Sequence, residues 1–216
     1  MFNLINKTLP SVNQHSFSQV PQARVPRSKF KRVYKHTTML NASWVVPFYA
    51  EEIDPGTTIN IQFSSIIRPA ALAAPIMDNL YADFFFFYVP RRILQDNWVK
   101  MHGEQANPGD TIDYVTPKVT TPASVGLVLP TDYSSISDAE KTALLYNYLY
   151  GMKPGIPDVE LDNTYARAYA MIENEWFRDQ NLDNSVTLDK DDGPDTITDY
   201  KLFKRRRRHD YISSCL

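Results

Sequence analysis

The sequence predicts a mainly β fold, an antiparallel β-sandwich interrupted by a long helical insertion. Three strand-like segments, at 44–50, 57–65 and 81–90, follow one another with no helix between them, so the order is not that of a βαβ protein. Residues 57–64 alternate between apolar and polar side chains, which is typical of a strand with one covered face. Proline (15) outnumbers glycine (7), which favours extended segments and long loops over helical bundles.

The third segment contains the run around which the rest of the chain is organised, six consecutive aromatic or β-branched residues. This composition favours a strand, and because no polar residue interrupts it, we expect both of its faces to be covered. Pro90 cannot donate to a ladder and ends the run, and Arg91 and Arg92 return the chain to solvent. The predicted core strand is Phe84, Phe85, Phe86, Phe87, Tyr88 and Val89.

Turn and loop residues separate the three strands. In the first strand, Pro47 favours a position at a sheet edge or a bulge. Pro55 and Gly56 then occupy the central positions of a predicted type II turn. Residues 66–77 are apolar but broken by two prolines, which predicts a packed loop.

Two helices are predicted in the middle of the chain. Apolar residues at helical spacing over 94–101, with Gly103 as a stop, predict a short helix that packs on the sheet. A longer helix begins where Ser137 and Glu140 have the spacing of a capping box, and it ends at Gly151.

A third helix is predicted over 162–178. An acidic loop follows at 183–199, and the last residues, 211–216, have the character of the start of a further strand. The apolar stripe of the third helix consists of Tyr165, Tyr169, Ile172 and Trp176.

The net charge of −2 conceals a strong segregation of charge along the chain. Residues 1–50 hold seven Lys or Arg and no acidic residue, whereas 158–199 hold twelve acidic residues against three basic ones, a local net of −9. Residues 201–208 then add six positive charges. Such segregation indicates surfaces that face different partners.

The first basic cluster lies in a polar, proline-containing arm. Its cations are interleaved with Phe30 and Tyr34, and a basic run with aromatic residues can hold a nucleic-acid backbone and stack bases. A solvated arm, or an arm that docks on a neighbouring subunit, explains the same composition. The cluster consists of Arg24, Arg27, Lys29, Lys31, Arg32 and Lys35.

The second basic cluster precedes His209. One interpretation is phosphate contact along a nucleic-acid backbone. The alternatives are neutralisation of the acidic residues at 189–199 just before it, or an intersubunit salt-bridge surface; a nuclear import signal has a similar composition but is weakly specified. The cluster consists of Lys204, Arg205, Arg206, Arg207 and Arg208.

The sequence contains no pattern that organises a catalytic or metal site. The four histidines are scattered singly, Cys215 is the only cysteine, and there is no glycine-rich phosphate loop. We therefore predict a non-enzymatic protein without a cofactor or metal, from a reducing compartment. No apolar run is long enough to span a bilayer, and the N-terminus is unlike a secretory signal, so we expect no membrane association.

Several blocks, in this order, resemble the major capsid protein of the gokushovirus branch of the Microviridae, which are small single-stranded-DNA phages. The most specific are M-D-N-L-Y at 77–81 and F-F-F-x-V-P-x-R at 85–92. The matching blocks lie at 27–30, 35–38, 46–49, 54–57, 75–80, 85–91, 97–98, 167–169, 174–179, 208–211 and 214–216.

The resemblance implies a single jelly-roll subunit that assembles into a T=1 icosahedral shell around circular single-stranded DNA. The implied partners are copies of the same chain, the packaged DNA and minor virion proteins, in a virion made in the bacterial cytoplasm. The implied organisation is an extended basic arm at 1–36, the first jelly-roll strands and a short helix at 37–103, a loop and helical insertion at 104–200, and a basic segment leading into a further strand at 201–216.

The chain departs from the family pattern in two ways. The segments 31–34 and 205–208 are more basic than usual for the family, and family members are much longer, so we expect the chain to be an N-terminal part that lacks the later strands. Expressed alone it should then be insoluble or molten, because the aromatic run would lack its cover. The two other hypotheses are a DNA-binding β-domain that uses 24–35 and 204–208, and a jelly-roll carbohydrate-binding or enzymatic module.

Overall fold

The computed structural model describes residues 26–72, 74–77, 79–111, 113–122, 128–131, 135–152 and 155–206. The chain divides into two compact units, Met1–Thr37 and Thr38–Leu216. In the first unit, residues 26–37 are described; they form neither helix nor strand, and every one of them is exposed. All described helices and strands belong to the second unit.

The regular elements of the second unit are short and lie in its C-terminal two-thirds. Strands β1 (Lys118–Thr120) and β2 (Glu160–Asp162) pair in antiparallel register, with Val119 opposite Leu161. Among the described residues, no helix is long and apolar enough to cross a membrane. The elements are a 3-10 turn at Arg91–Ile93, α1 at Trp98–Met101, β1 at Lys118–Thr120, α2 at Asp138–Tyr150, β2 at Glu160–Asp162, α3 at Thr164–Ile172 and a π-helical turn at Glu173–Phe177.

The hydrophobic core is formed by α2, α3, β1 and the segment around 200–203. Complete burial of a side chain of leucine size stabilises the fold by about 1.5–3 kcal/mol, so this cluster is the main source of stability. The polar ends of its tyrosines are satisfied: the Tyr146 hydroxyl donates to Asn163 Oδ1 at 2.7 Å. The most completely buried members are Val119, Ala143, Leu145, Tyr146, Ala166, Ala170, Tyr200 and Leu202.

Helix α2 confirms the caps predicted from the sequence. The Ser137 backbone N–H donates to Glu140 Oε2 at 2.8 Å, and the Glu140 N–H donates back to Ser137 Oγ, so the capping box is complete. At the other end Gly151 has a φ of 61°, and its N–H donates to the Asn147 carbonyl at 2.8 Å. The left-handed backbone conformation directly after the last helical turn strongly favours glycine at that position.

The predicted glycine turns are also confirmed. Gly56 has a φ of 78°, and the Thr57 N–H donates to the Asp54 carbonyl at 3.2 Å, which closes the turn around Pro55. Gly103 follows α1 with a φ of 100°. The first predicted helix, over 94–101, is shorter than expected, because residues 94–97 are not helical and α1 begins only at Trp98.

The third predicted helix is confirmed, but its apolar stripe is only partly buried. After α3 the chain continues as a π-helical turn, in which the Arg178 N–H donates to the Glu173 carbonyl five residues earlier, at 2.8 Å. The wider turn changes the angular phase of the residues that follow. Tyr169 is therefore buried as predicted, whereas Trp176, predicted to lie on the same stripe, is 63% exposed.

The strands predicted at 44–50, 57–65 and 81–90 are not confirmed in this chain, because these segments lack the backbone pairing of a sheet in the part of the chain that the structure describes. None of these segments forms a ladder with another among the described residues. Alternation and apolarity indicate which faces are covered, but they do not supply a backbone partner. The pairing that does form is a bridge between Trp44 and Lys204, flanked by a Val45 N–H that donates to the Phe203 carbonyl at 3.1 Å. The strand predicted at 211–216 lies outside the described residues.

Candidate functional site

The predicted core strand forms an aromatic ribbon, which we define as residues 84–88. Its side chains alternate as on a strand. Phe84 and Phe86 lie on one face, where their rings are 4.6 Å and 5.7 Å from the Phe63 ring. Phe48 contacts the same two rings edge-on at 6.0 Å and 6.2 Å. This face is therefore covered by segments that precede the ribbon in the sequence.

The opposite face of the aromatic ribbon contacts the π-helical turn. The Phe85 ring lies 5.4 Å from the Phe177 ring, in an edge-to-face arrangement. The Phe87 ring lies 5.9 Å from the Trp176 ring and 6.1 Å from that of Phe177. Phe177 in turn contacts Phe203 at 5.4 Å, so this face is connected to the hydrophobic core.

The aromatic ribbon is nevertheless not buried. Phe84, Phe86 and Phe87 are 39%, 51% and 41% exposed, and Tyr88 is 78% exposed. Burial on both faces was predicted from the sequence, and within this chain that prediction is wrong. The contacts come from two rings on each side rather than from a packed layer, and the ribbon lacks a backbone ladder that would align such a layer. Val89, the last residue of the predicted strand, is half-buried.

The three described residues of the second basic cluster, Lys204, Arg205 and Arg206, each contact another part of the second unit. The Lys204 ammonium lies 5.1 Å from the centre of the Trp44 ring. Arg205 forms an ion pair with Asp83, and its guanidinium lies 5.5 Å from the centre of the Phe85 ring. These contacts place the cluster beside the aromatic ribbon.

Arg206 completes the pattern, because its Nη2 lies 2.6 Å from Asp183 Oδ2. Glu173 lies in the same electrostatic neighbourhood: burial raises its pKa to about 7, against the opposing attraction of Arg206. The sequence left several interpretations of this cluster open. For Arg205 and Arg206 the structure shows charge pairing within the chain. Their acidic partners are Asp83 and Asp183, rather than the acidic residues at 189–199.

The first basic cluster has a different environment. Five of its residues, Arg27, Lys29, Lys31, Arg32 and Lys35, lie in the exposed segment 26–37, which we call the basic arm. Phe30 is 83% exposed and Tyr34 is 58% exposed in the same segment. The Tyr34 and His36 rings are nearly parallel, with 6.0 Å between their centres and 9° between their planes. Arg24, Arg207 and Arg208 lie outside the described residues.

A buried ion pair that the sequence did not indicate lies beneath α3. Arg167 and the Asp195 side chain are fully buried, and the guanidinium donates from Nε to Asp195 Oδ2 at 2.8 Å and from Nη2 to Asp195 Oδ1 at 2.5 Å. Its Nη1 donates to the Leu94 and Asp191 carbonyls. Burial alone would lower the pKa of Arg167, but the hydrogen bonds and charge of Asp195 outweigh burial and raise it.

The acidic residues around this pair compete for the same arginine. Asp189, Asp191 and Asp195 lie close enough to share a cation. However, the guanidinium of Arg167 already binds both carboxylate oxygens of Asp195, and its Nη2 lies 3.9 Å from the carboxylate oxygen Oδ1 of Asp191. A bidentate arginine supplies the positive charge that a metal would otherwise bring. In the sequence, an arginine between two alanines gave no sign of this role.

Comparison with known proteins matches this chain to viral shell proteins. The family model described as capsid protein (F protein) matches residues 18–216. Capsid protein VP1 of Bdellovibrio phage phiMH2K is 38% identical over 204 residues, which cover 94% of this chain. The VP1 proteins of Chlamydia phage 1 and Spiroplasma virus 4 are 32% and 31% identical, over 97% and 94% of this chain. The matched region is 36% of the length of each of these relatives, so this chain spans about a third of them.

Proposed function

This chain belongs to the phage capsid protein (F protein) family, and from that premise we propose that it acts as a structural subunit of a virion. In this proposal its work is self-assembly into a small T=1 icosahedral shell around circular single-stranded DNA. Its subunit adopts a jelly roll with helical insertions, to which 37–103 contributes the first strands and 104–200 the insertion. Its partners are other copies of the chain, the DNA and minor virion proteins.

The observation that supports assembly most directly is the exposed aromatic ribbon. Four of its five rings are at least 39% exposed, and two further large apolar residues in contact with it, Phe63 and Trp176, are 44% and 63% exposed. An apolar patch of this kind is rarely left in water by a soluble monomer. In a shell subunit it is covered by further strands or by a neighbouring copy.

The exposed basic arm supports contact with the packaged DNA. Residues 1–50 contain no acidic residue, and the five described cations of the arm are exposed. Arg205 and Arg206 form ion pairs with Asp83 and Asp183 within the second unit. We therefore assign the DNA contact to the basic arm. Residues 204–206 are assigned to contacts that hold the second unit together.

Electron microscopy and sedimentation of the protein expressed from its full reading frame test this function. Closed particles of uniform size are expected, and Phe86→Lys should abolish them because it places a charge in the aromatic ribbon. Thr187→Lys adds the same charge at an exposed position outside the ribbon and should leave particles intact. Soluble, salt-sensitive DNA complexes without particles would instead favour a DNA-binding β-domain.

A further inference from the structure

We propose that the basic arm holds unpaired nucleobases by ring stacking, through Phe30 and the Tyr34–His36 pair, and that it therefore prefers single strands to duplex. This inference rests on the proposed function, since it takes the arm to be the part that meets DNA. It adds how the nucleic acid is recognised and through which side chains.

The first line of argument is the alternation of side chains. In the basic arm a ring stands between cations: Phe30 lies between Lys29 and Lys31, and Tyr34 lies next but one to Arg32 and directly before Lys35. Cations that follow a phosphate backbone, interleaved with rings on which bases stack, are the shared chemistry of proteins that bind single strands without sequence preference. A segment that only neutralised phosphate would need no rings.

The second line of argument is the exposure of the rings. Phe30 is 83% exposed, so most of its apolar ring gains no stabilisation from burial within the chain. The Tyr34 hydroxyl lies 3.3 Å from His36 Nδ1, and the two rings are stacked within 9° of parallel. This pair presents an ordered flat surface of the kind on which a base can extend the stack.

The third line of argument is the difference between single and double strands. In a duplex the faces of the bases are covered by their neighbours, so a ring gains stacking only where bases are unpaired. Charge alone would favour duplex, because a duplex presents phosphates more densely. Preference for the single strand therefore distinguishes stacking from simple charge neutralisation.

The test is binding of three fluorescent 20-nucleotide probes to the protein expressed from its full reading frame and kept dissociated at low concentration. The probes are oligothymidine, an abasic strand of the same length and charge, and a duplex. Oligothymidine is expected to bind about fivefold or more tightly than the abasic strand. The double variant Phe30→Ala/Tyr34→Ala should lose that difference, whereas Val33→Ala, which removes an exposed aliphatic side chain from the same arm, should retain it.

The outcomes separate this inference from the function on which it rests. Equal binding of oligothymidine and abasic strand, unchanged in Phe30→Ala/Tyr34→Ala, would overturn stacking while leaving a DNA-contacting arm. If Lys29→Ala/Lys31→Ala weakens binding of all three probes and reduces its salt dependence, the arm meets DNA as proposed. Failure of every probe to bind the arm would overturn both.

Discussion

The buried ion pair of Arg167 and Asp195 gives the sharpest test of the physical account of this fold. Asp195→Asn removes the negative charge but keeps the side-chain volume, and it leaves the guanidinium of Arg167 buried without its counter-charge. Two of the four hydrogen bonds of Arg167 are those to the carboxylate, at 2.8 Å and 2.5 Å. Removing one partner of a fully buried pair costs about 3–5 kcal/mol.

Pulse proteolysis in urea, on the protein expressed from its full reading frame, measures this cost at protein concentrations low enough to limit aggregation. With a denaturant slope of about 1–3 kcal/mol per molar urea, the midpoint should fall by about 2 M. The double variant Arg167→Met/Asp195→Leu removes both charges and should be less destabilised than either single variant, because no unpaired charge remains. An Asp195→Asn midpoint within about 0.3 M of the unmodified chain would refute the reasoning, since it would mean that the pair is hydrated or absent.

Three further outcomes are expected. Ser137→Ala removes the capping box of α2 and should lower the free energy of unfolding by about 1 kcal/mol, whereas Ser135→Ala should not. Burial raises the pKa of Glu173 from 4.5 to about 7, so the free energy of unfolding falls as pH rises between these values. Glu173→Gln removes the titrating group, and it should therefore raise the free energy of unfolding by about 1 kcal/mol at pH 8 and leave it unchanged at pH 4. Limited proteolysis should cleave 26–90 before α2 and α3, because the buried core contains those helices.

Each of these outcomes has a clear contrary result. A Ser137→Ala variant as stable as Ser135→Ala would show that the capping box does not hold α2. An equal effect of Glu173→Gln at both pH values would locate its influence in packing rather than in titration. Cleavage within α3 as early as within 26–90 would mean that the core is not cooperatively folded.

Local signals in the sequence were sufficient wherever the structure depends on neighbouring residues. The capping box at Ser137, the glycine that ends α2 and the turn at Gly56 each follow from a side chain or a φ value that acts within a few residues. The same holds for the alternation of Phe84 and Phe86 against Phe85 and Phe87, because successive residues on an extended chain point to opposite sides.

Other features depend on residues far apart in the sequence, and the sequence did not reveal them. Arg167 and Asp195 are 28 residues apart, and Arg205 and Asp83 are 122 apart. No local pattern identifies which of several acidic residues will face a given arginine. The π-helical turn that moves Trp176 to the surface is likewise set by the packing around α3 rather than by side-chain periodicity.

By itself the sequence determined the family, the caps, the glycine turns and the segregation of charge, because these are properties of residue identity and short spacing. Only the tertiary structure decided which charges are neutralised, which cations stay exposed and how far the aromatic ribbon is covered. The physical reason is that burial and ion pairing depend on which distant segments meet in space. The residues of an extended segment likewise do not specify which other segment forms backbone hydrogen bonds with it.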